Sequence, residues 1–319
     1  MKAMVIRQHG TPDEVVRIEL AKPIPKSKEL LIRIKAAAVN PADLKVISGK
    51  DGGKFLHSSK RPIQLGFDYA GVVEEIGAEV TDYHPGDEVY GFLPYSSKTV
   101  QGSFSEFISI PESFVAKKPA TIGFPEAAAM ATAGLTAYQA LVKIGKIAEN
   151  QSVLINGASG GVGSMAVQIA VVMGAQVTAT CGPHNMDFVA SLGAERVVDY
   201  NKEPIELIDG SFDIIFDVAA ASSWSKCKHL LNKKGMYITT IPDFGFIKDK
   251  LLSLFSSKKS MMVIVKPVAS DFLQLKEWID TGKLKMQLQQ VFPISQLKDA
   301  LYRMQQGHIR GKIAVSMEG

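Results

Sequence analysis

A glycine-rich stretch near the middle of the chain has the residue types and spacing of a phosphate-binding turn. Residues Val153–Gly163 read VLINGASGGVG, which predicts a buried strand, a tight turn and the start of a helix. In this context Gly160 lets the backbone approach a pyrophosphate, and Gly163 permits close packing of the helix on the strand. The first helical turn then offers unpaired N–H groups to the phosphates. Ala158 stands where the pattern usually has its first glycine. The alternative is a glycine-rich turn without a ligand.

The second strand of this region is followed by neutral residues. A site for NAD usually carries Asp or Glu about 20 residues beyond the glycines, where it bonds the 2′-hydroxyl of the adenine ribose. Here residues 180–185 read TCGPHN, and no carboxylate occurs before Asp187. Because a carboxylate would repel a 2′-phosphate, its absence predicts NADP(H). The candidates for this contact are Thr180, Cys181, Gly182, His184 and Asn185. His184 is as readily interpreted as a histidine of a surface loop.

The elements around these segments alternate between strands and helices. Ser152–Asn156 is typical of a buried strand, and the apolar residues from Ala166 to Met173 then repeat at the spacing of one helix face. Further strands are predicted at Val177–Thr180, Arg196–Val198, Asp213–Val218, Met236–Thr240 and Met261–Val265. Strands that alternate with helices imply right-handed crossovers and a parallel sheet.

Both ends of the chain show a different pattern. Short apolar runs separated by Gly, Pro and Asp predict strands at Leu30–Ile34, Gly71–Ile76, Glu88–Phe92 and Phe104–Ile110. Towards the C-terminus the predicted elements are helices at Phe272–Thr281 and Ser295–Gln306 and a strand at Lys312–Ser316. We therefore predict an α/β protein. Its Rossmann-type domain covers residues 124–266 and is inserted into a mostly antiparallel, barrel-like domain formed by residues 1–123 and 267–319.

The composition limits the class of protein. The 319 residues are 46% hydrophobic and 21% charged, as expected for a globular protein of two domains. A net charge of +4 is too small to indicate nucleic-acid binding. Two cysteines, Cys181 and Cys227, suggest no disulfide framework. No apolar run reaches the roughly 18 residues of a membrane span, and the N-terminus has no signal-peptide core. We therefore expect a cytoplasmic protein.

Further motifs are spread along nearly the whole chain. They are Val39–Asp43 (VNPAD) followed by Gly49, and residues 66–73 (GFDYAGVV), 85–89 (PGDEV), 133–138 (AGLTAY), 192–194 (LGA) and 307–313 (GHIRGKI). With these motifs the chain resembles the medium-chain dehydrogenase/reductase superfamily, and within it the zinc-independent quinone oxidoreductase branch. Residues 179–182 (ATCG), with Asn185, Phe188 and Val189, are most similar to its enone and quinone reductases. The resemblance implies a GroES-like catalytic domain, an NADPH cofactor and a homodimer.

The resemblance also implies residues for the substrate and the cofactor. Asn40 and Lys45 are the candidates for polarising a substrate carbonyl, with an amide N–H and an ammonium group. Many quinone oxidoreductases have a tyrosine at the position of Lys45. The alternatives are that Asn40 is a turn residue and that Lys45 is a solvated lysine. The further cofactor contacts implied are Thr136 at the nicotinamide, Ser159, Gly160, Gly161 and Val162 at the pyrophosphate, Tyr200 near the adenine, Val218, Ala219 and Ile241 beside the nicotinamide, and Gly311 and Lys312 from the C-terminal segment. Thr136 is otherwise an ordinary helix-packing residue, and Lys312 an exposed strand residue.

Zinc ligands are missing from the sequence. Two cysteines cannot form a four-cysteine site. Asn40 and Asp68 stand where the zinc-dependent branch has a Cys and a His-Glu pair, so we predict no metal. Without a Lewis acid, alcohol oxidation is difficult. Reduction of a quinone or an α,β-unsaturated carbonyl needs only a donor or cation at the developing oxyanion.

These observations favour an NADPH-dependent reductase of quinones or of conjugated enals and enones. Two other functions stay open: reduction or oxidation of another carbonyl compound, and a non-catalytic role as an NADPH-binding sensor or structural partner. The segment 242–260 is interpreted as a lid, a dimer contact or a surface helix, and the sequence does not choose among them.

Overall fold

The computed structural model of the chain describes residues 1–241 and 244–318. The strands of the N-terminal third are β1 (Lys2–Ile6), β2 (Val16–Glu19), β3 (Glu29–Val39), β4 (Ile63–Gln64), β5 (Asp68–Ile76), β6 (Glu88–Phe92), β7 (Phe107–Pro111) and β8 (Val115–Lys117). The remaining strands are β9 (Ser152–Asn156), β10 (Gln176–Cys181), β11 (Arg196–Asp199), β12 (Phe212–Asp217), β13 (Leu231–Thr239), β14 (Lys259–Met262), β15 (Leu288–Pro293) and β16 (Lys312–Ser316).

The α-helices of the same residues are short and separated by turns. They are α1 (Pro41–Ser48), α2 (Gly53–Leu56), α3 (Phe124–Tyr138), α4 (Gly161–Val172), α5 (Met186–Ser191), α6 (Trp224–Cys227), α7 (Phe244–Leu254), α8 (Ala269–Asp280) and α9 (Leu297–Gln305). Helix α3 continues into a π-helical turn at Gln139–Ile144. In the part of the chain that the structure describes, no helix is both long and apolar enough to cross a bilayer.

The chain divides into two compact units. The first contains Met1–Thr132, Lys266–Thr281 and the residues from Met286 onwards, and the second contains Ala133–Val265 and Gly282–Lys285. The division after Thr132 falls inside α3, whereas the boundary predicted from the sequence lies at the start of that helix. The two predicted domain boundaries therefore stay predictions.

A parallel sheet of strand order β11-β10-β9-β12-β13-β14 forms the centre of the second unit. All its pairings are parallel, and the order reverses between β9 and β12. This is the order of a dinucleotide-binding fold, in which ligands bind at the carboxyl ends of the strands where the order reverses. The predicted parallel sheet is confirmed. Its last strand starts and ends earlier than the predicted 261–265, because the pairing with β13 begins with Lys259 opposite Met236 and ends with Met262 opposite Thr239.

The first unit is built on a sheet of order β15-β16-β3-β5-β6-β8, and β7 also pairs with β3. Its pairings are antiparallel except that of β15 with β16. The long strand β3 carries apolar residues in its middle and ends at Val39 in the buried core. The mostly antiparallel domain expected from the sequence is therefore confirmed. Residues 242 and 243 of the segment predicted as a lid, contact or helix lie outside the described residues.

Candidate active site

The glycine turn after β9 is shaped for a backbone that must approach another group closely. A Cβ at Gly163 would lie 2.1 Å from the carbonyl oxygen of Gly157, so only glycine allows this helix to pack on the strand. A Cβ at Gly160 would have only that same oxygen near it, at 4.0 Å. The space beside Gly160 is therefore open. Helix α4 begins at Gly161, and its first-turn amide groups have no partner within the helix.

The predicted pyrophosphate contacts Ser159, Gly160, Gly161 and Val162 all lie on this turn, and each is partly exposed. An accessible helix start beside an open glycine provides donors and a positive dipole end for an anion. The residues present therefore fit the pyrophosphate of a dinucleotide.

Asn156, the last residue of β9, links three neighbouring strands. Its Oδ1 accepts a hydrogen bond from the Thr180 hydroxyl at 2.5 Å, and its Nδ2 donates to Asp217 at 2.8 Å. Asp217 also accepts from the Tyr237 hydroxyl at 2.7 Å. These residues fix the carboxyl ends of β9, β10 and β12. Sequence reasoning missed Asn156 and Asp217, although a polar residue at the end of each buried strand was the available signal.

Thr180 has its hydroxyl inside this linkage. The side chain is fully buried, donates to Asn156 and accepts from the amide of Gly157 at 3.2 Å. These bonds hold the glycine turn, and because the single O–H is given to Asn156, the hydroxyl has no proton left to donate to a phosphate. Cys181 is also buried, and burial together with the Asp199 charge raises the pKa of its thiol to about 11.

The other candidates at the end of β10 differ in exposure. Asn185 is buried and His184 is exposed on the same short 3-10 turn. Tyr200 is 39% exposed, and its hydroxyl lies over Gly182, where a Cβ would come within 2.9 Å of it. His184 and Tyr200 are therefore the polar side chains of this set that reach solvent.

The ends of β12 and β13 carry the residues expected beside the nicotinamide. The amides of Val218 and Ala219 donate to the carbonyl of Asn156 at 3.0 and 3.2 Å. Ile241 is 43% exposed. A cavity of about 60 Å³ lies at this edge of the second unit; it is lined by Ala220, Ser222, Ser223, Trp224, Tyr237, Thr239, Ile241, Phe246, Asp249 and Ser260. Thr136, from the same unit, is buried on α3.

A second group of polar residues lies buried in the first unit. The Lys312 ammonium contacts the Val39 carbonyl at 3.1 Å, Asn40 Oδ1 at 2.5 Å and Asp68 Oδ2 at 3.0 Å. The other Asp68 oxygen accepts from the hydroxyl and the amide of Thr132. Asp68 is fully buried and Lys312 is 4% exposed. We call Asn40, Asp43, Asp68, Thr132 and Lys312 the buried polar cluster.

Asn40 has both ends of its amide engaged in this cluster. Its Oδ1 accepts from Lys312, and its Nδ2 donates to Asp68 Oδ2 at 2.9 Å and to the Ala38 carbonyl at 3.4 Å. The amide orientation is therefore set by a cation on one side and an anion on the other. Both amide protons are used in these bonds. Asn40 therefore orders the side chains of Lys312 and Asp68.

Asp43 caps the start of α1 in the same cluster. Its Oδ2 accepts from the Asn40 amide at 2.7 Å, and its Oδ1 is buried without a partner among the described residues. Burial raises the pKa of this carboxyl to about 7, against the lowering effect of the Asn40 amide. The negative charge of Asp68 contributes to this raised pKa, and the Lys312 ammonium opposes it.

Lys312 and Gly311 are placed by β16. Gly311 has φ +66°, and a Cβ there would lie 2.0 Å from the carbonyl oxygen of Gln287. Glycine is thus required for β16 to approach β15, and the next residue turns its side chain into the cluster. The alternative of an exposed strand lysine does not match this placement, since the strand directs the ammonium inward and Lys312 is buried; the predicted cofactor contact stays a prediction.

Lys45 lies apart from the cluster. It follows Asp43 by two positions on α1, which turns it about 200° around the helix. The half-buried side chain lines a groove of about 190 Å³ with Gly10, Thr11, Pro12, Leu44, Ile47, Ser48, Asp51 and Gln305. The structure therefore brings Lys312, and not Lys45, to Asn40.

The donor set of the buried polar cluster does not suit zinc. It offers two carboxylates, an amide oxygen and a carbonyl around an ammonium group, and it lacks the thiolate and imidazole ligands on which zinc sites are built. Across residues 1–241 and 244–318, no three or more His, Cys, Asp or Glu residues are grouped to hold a metal ion.

Two family models match the chain, and together they cover most of it. Residues 26–120 match the alcohol dehydrogenase GroES-like domain, and residues 192–315 match the zinc-binding dehydrogenase family. Among curated relatives, the chloroplastic quinone-oxidoreductase homolog of Spinacia oleracea is 34% identical, over 96% of this chain and 95% of that protein. The chloroplastic NADPH-dependent alkenal/one oxidoreductase of Arabidopsis thaliana is 32% identical, over 99% and 79%. The solved structure of the quinone oxidoreductase from Coxiella burnetii superposes with a TM-score of 0.91 at 26% identity, over 100% of this chain and 99% of that one.

Proposed function

Because the chain belongs to the quinone oxidoreductase branch of the medium-chain dehydrogenase/reductase superfamily, we propose that it reduces quinones or α,β-unsaturated carbonyl compounds with NADPH. The observation that carries the proposal is the open glycine turn at the reversal point of the parallel sheet. The names of the spinach and Arabidopsis relatives support the substrate class.

NADPH is the proposed cofactor because of the residues at the end of β10. Residues 180–185 bring no carboxylate there, and His184 offers an exposed imidazole. Tyr200 adds a partly exposed hydroxyl. These groups accept a 2′-phosphate without charge repulsion. The pyrophosphate is assigned to the turn Ser159–Val162, and the nicotinamide to the strand ends that carry Val218, Ala219 and Ile241.

The reaction adds one hydride and one proton to the acceptor. NADPH, when bound, supplies the hydride to a carbon of the quinone or enone. The chain's own residues orient that cofactor through the glycine turn and the Asn156 linkage, which holds the ends of three strands in one register. The negative charge that develops on the acceptor oxygen needs a donor or a cation. Lys45 stays our candidate for that contact, and Asn40 is assigned an ordering role.

The direct test is an acceptor panel with purified protein. NADPH oxidation is followed by absorbance near 340 nm with 1,4-benzoquinone, acrolein, a cyclic enone and a saturated ketone. We expect turnover with the first three and little with the ketone, because only the activated acceptors take up hydride readily without a Lewis acid. NADH serves as the matched cofactor control and should give a lower kcat/KM.

Three results of this panel would each contradict part of the proposal. Preference for the saturated ketone indicates a different carbonyl reductase. Preference for NADH refutes the reading of residues 180–185. Tight NADPH binding without turnover on any acceptor refutes the assignment as an enzyme and favours a cofactor-binding protein.

A homodimer is the assembly that we propose. In the second unit, α7 and the turn after it expose Leu251 (57%), Leu254 (59%) and Phe255 (94%), and β14 lies at the edge of the parallel sheet. Exposed apolar patches of this kind mark association surfaces. Light scattering after gel filtration should give twice the 34.5 kDa of one chain. Phe255→Ser should lower that mass, whereas a monomeric wild-type protein contradicts the proposal.

Location in the cytoplasm stays a prediction from composition. The spinach and Arabidopsis relatives are named chloroplastic. Cell fractionation followed by detection of the protein tests the prediction, and recovery in an organelle contradicts it.

A further inference from the structure

The Lys312 ammonium occupies an oxygen-lined position in the first unit and uses all its protons there. An ammonium group has three N–H donors. They are directed to the Val39 carbonyl, the Asn40 amide oxygen and the Asp68 carboxylate, at 3.1, 2.5 and 3.0 Å. No donor remains for a phosphate or a substrate. The ordinary reading of this residue as a cofactor contact therefore does not fit its geometry.

Stability alone does not account for a buried pair of this kind. Removing two charges from water costs about as much as their attraction returns, and apolar residues of similar volume often serve equally well. What the pair adds is orientation. The ammonium requires an oxygen from Asn40, and the Asp68 carboxylate requires an N–H from the same side chain. Only one of the two flipped orientations of the Asn40 amide satisfies both. Asp68 in turn accepts from the amide and the hydroxyl of Thr132, where α3 begins to leave the first unit.

We propose that Lys312 is a resident cation and a positioning residue of the reductase. It fills, with its own ammonium group, the place between the Asn40 amide oxygen and the Asp68 carboxylate. Its charge holds the Asn40 amide in one orientation and keeps the Asp68 carboxylate in place against Thr132 on α3. The proposal rests on the proposed reductase function only for its kinetic test; the cation site itself is tested by stability.

The experiment removes the ammonium and returns it from solution. Lys312→Ala leaves the oxygen-lined position with space for a small amine. We expect kcat with NADPH and benzoquinone to fall at least about tenfold, and Tm to fall by about 6 °C. Methylammonium or ethylammonium should restore part of kcat and raise Tm by about 5 °C near saturation. Tetramethylammonium chloride at equal ionic strength should do neither, because it has no N–H donor.

Two control variants separate this role from the alternatives. Lys117→Ala removes a surface lysine that pairs with Asp87 at 3.3 Å and is 53% exposed; it should change neither kcat nor the response to amines. The double variant Asp68→Asn/Lys312→Met replaces the pair with neutral side chains of similar size. It should keep Tm within a few degrees of wild type while kcat stays lowered, because the amide of Asn40 is no longer oriented by charge.

Several outcomes would overturn the proposal. A double variant with wild-type kcat shows that the pair is structural only. A Lys312→Ala variant that loses NADPH affinity selectively, with kcat unchanged, returns Lys312 to the cofactor. Equal effects of tetramethylammonium and ethylammonium exclude a specific cation site. If the wild-type protein reduces none of the acceptors, the proposed function fails, whereas an amine-dependent rise in Tm still supports the resident cation.

Discussion

Replacing Asp43 with asparagine should change how the stability of this protein depends on pH. The side chain is fully buried, and its carboxyl has a pKa of about 7 because of burial and the charge of Asp68. In the unfolded chain an Asp titrates near about 3.9. Between these two values the folded state keeps the proton while the unfolded state releases it. Asp43 therefore stabilises the fold relatively more at low pH, and this contribution is lost as the pH rises toward 7.

The magnitude follows from the two pKa values. Each unit of difference corresponds to about 1.36 kcal/mol. Between about pH 5 and pH 8, linkage then predicts that the Asp43 contribution to the free energy of unfolding decreases by about 2.6 kcal/mol. In Asp43→Asn this dependence is absent. The new amide keeps an oxygen for the backbone N–H of Asn40. Its NH₂ takes the place of the unpartnered Oδ1, at a cost of about 1–3 kcal/mol that does not depend on pH.

Urea unfolding of both proteins over this pH range measures the effect. The useful quantity is the difference in unfolding free energy between wild type and variant at each pH, because groups common to both then cancel. We expect wild type to be more stable than the variant at low pH, with the gap closing as the pH rises. Asp209→Asn, at an exposed position, is the matched control and should give a flat difference.

A flat difference for Asp43→Asn would refute the reasoning. It would mean that Asp43 ionises in the folded protein as it does in the unfolded chain. A difference that grows with pH would mean that Lys312 and the backbone donors outweigh burial, and that the folded pKa lies below the unfolded one.

Three other predictions concern the second unit. Gly163→Ala places a Cβ 2.1 Å from a backbone oxygen, so it should prevent folding or lower Tm sharply. Gly160→Ala, whose new Cβ has its nearest neighbour 4.0 Å away, should leave Tm unchanged. It should weaken NADPH binding, measured by calorimetry, at least about tenfold. His184→Asp should raise the Kd for NADPH and leave that for NADH nearly unchanged, because the new carboxylate opposes only the 2′-phosphate; equal effects on both cofactors would count against this contact. Burial raises the pKa of the thiols of Cys181 and Cys227 to about 11. Neither thiol should therefore react with a disulfide reagent at pH 8 until the protein is unfolded. Rapid labelling of the native protein would contradict the raised pKa.

The amino-acid sequence by itself was sufficient for the features that depend on local pattern. The strand Ser152–Asn156, the glycine turn after it and the helix from Gly161 were all predicted, because periodicity and glycine spacing act over a few residues. The alternation of such units specified a parallel sheet, since right-handed crossovers leave few other arrangements. The motifs along the whole chain also indicated the family.

The tertiary structure decided which side chains face one another, and for several residues it showed contacts that the sequence had not predicted. Asn40, Asp68 and Lys312 are up to 272 residues apart in sequence, and only the pairing of β16 with β3 brings the ammonium to the amide. The Thr180 hydroxyl bonds Asn156 because the neighbouring strand places that residue against it. Lys45 lies on a different face of α1 from Asp43, because two positions along a helix correspond to about 200° around its axis.

The physical reason is the range of the interactions involved. A pattern of apolar and glycine residues states how one segment folds, because those preferences are local. Whether a buried ammonium meets a carboxylate or a cofactor depends on strand order and register between distant segments. The glycine turn that suits a dinucleotide could therefore be predicted from the sequence. The buried position of the Lys312 ammonium in the other unit could not, because its three acceptors come from distant segments.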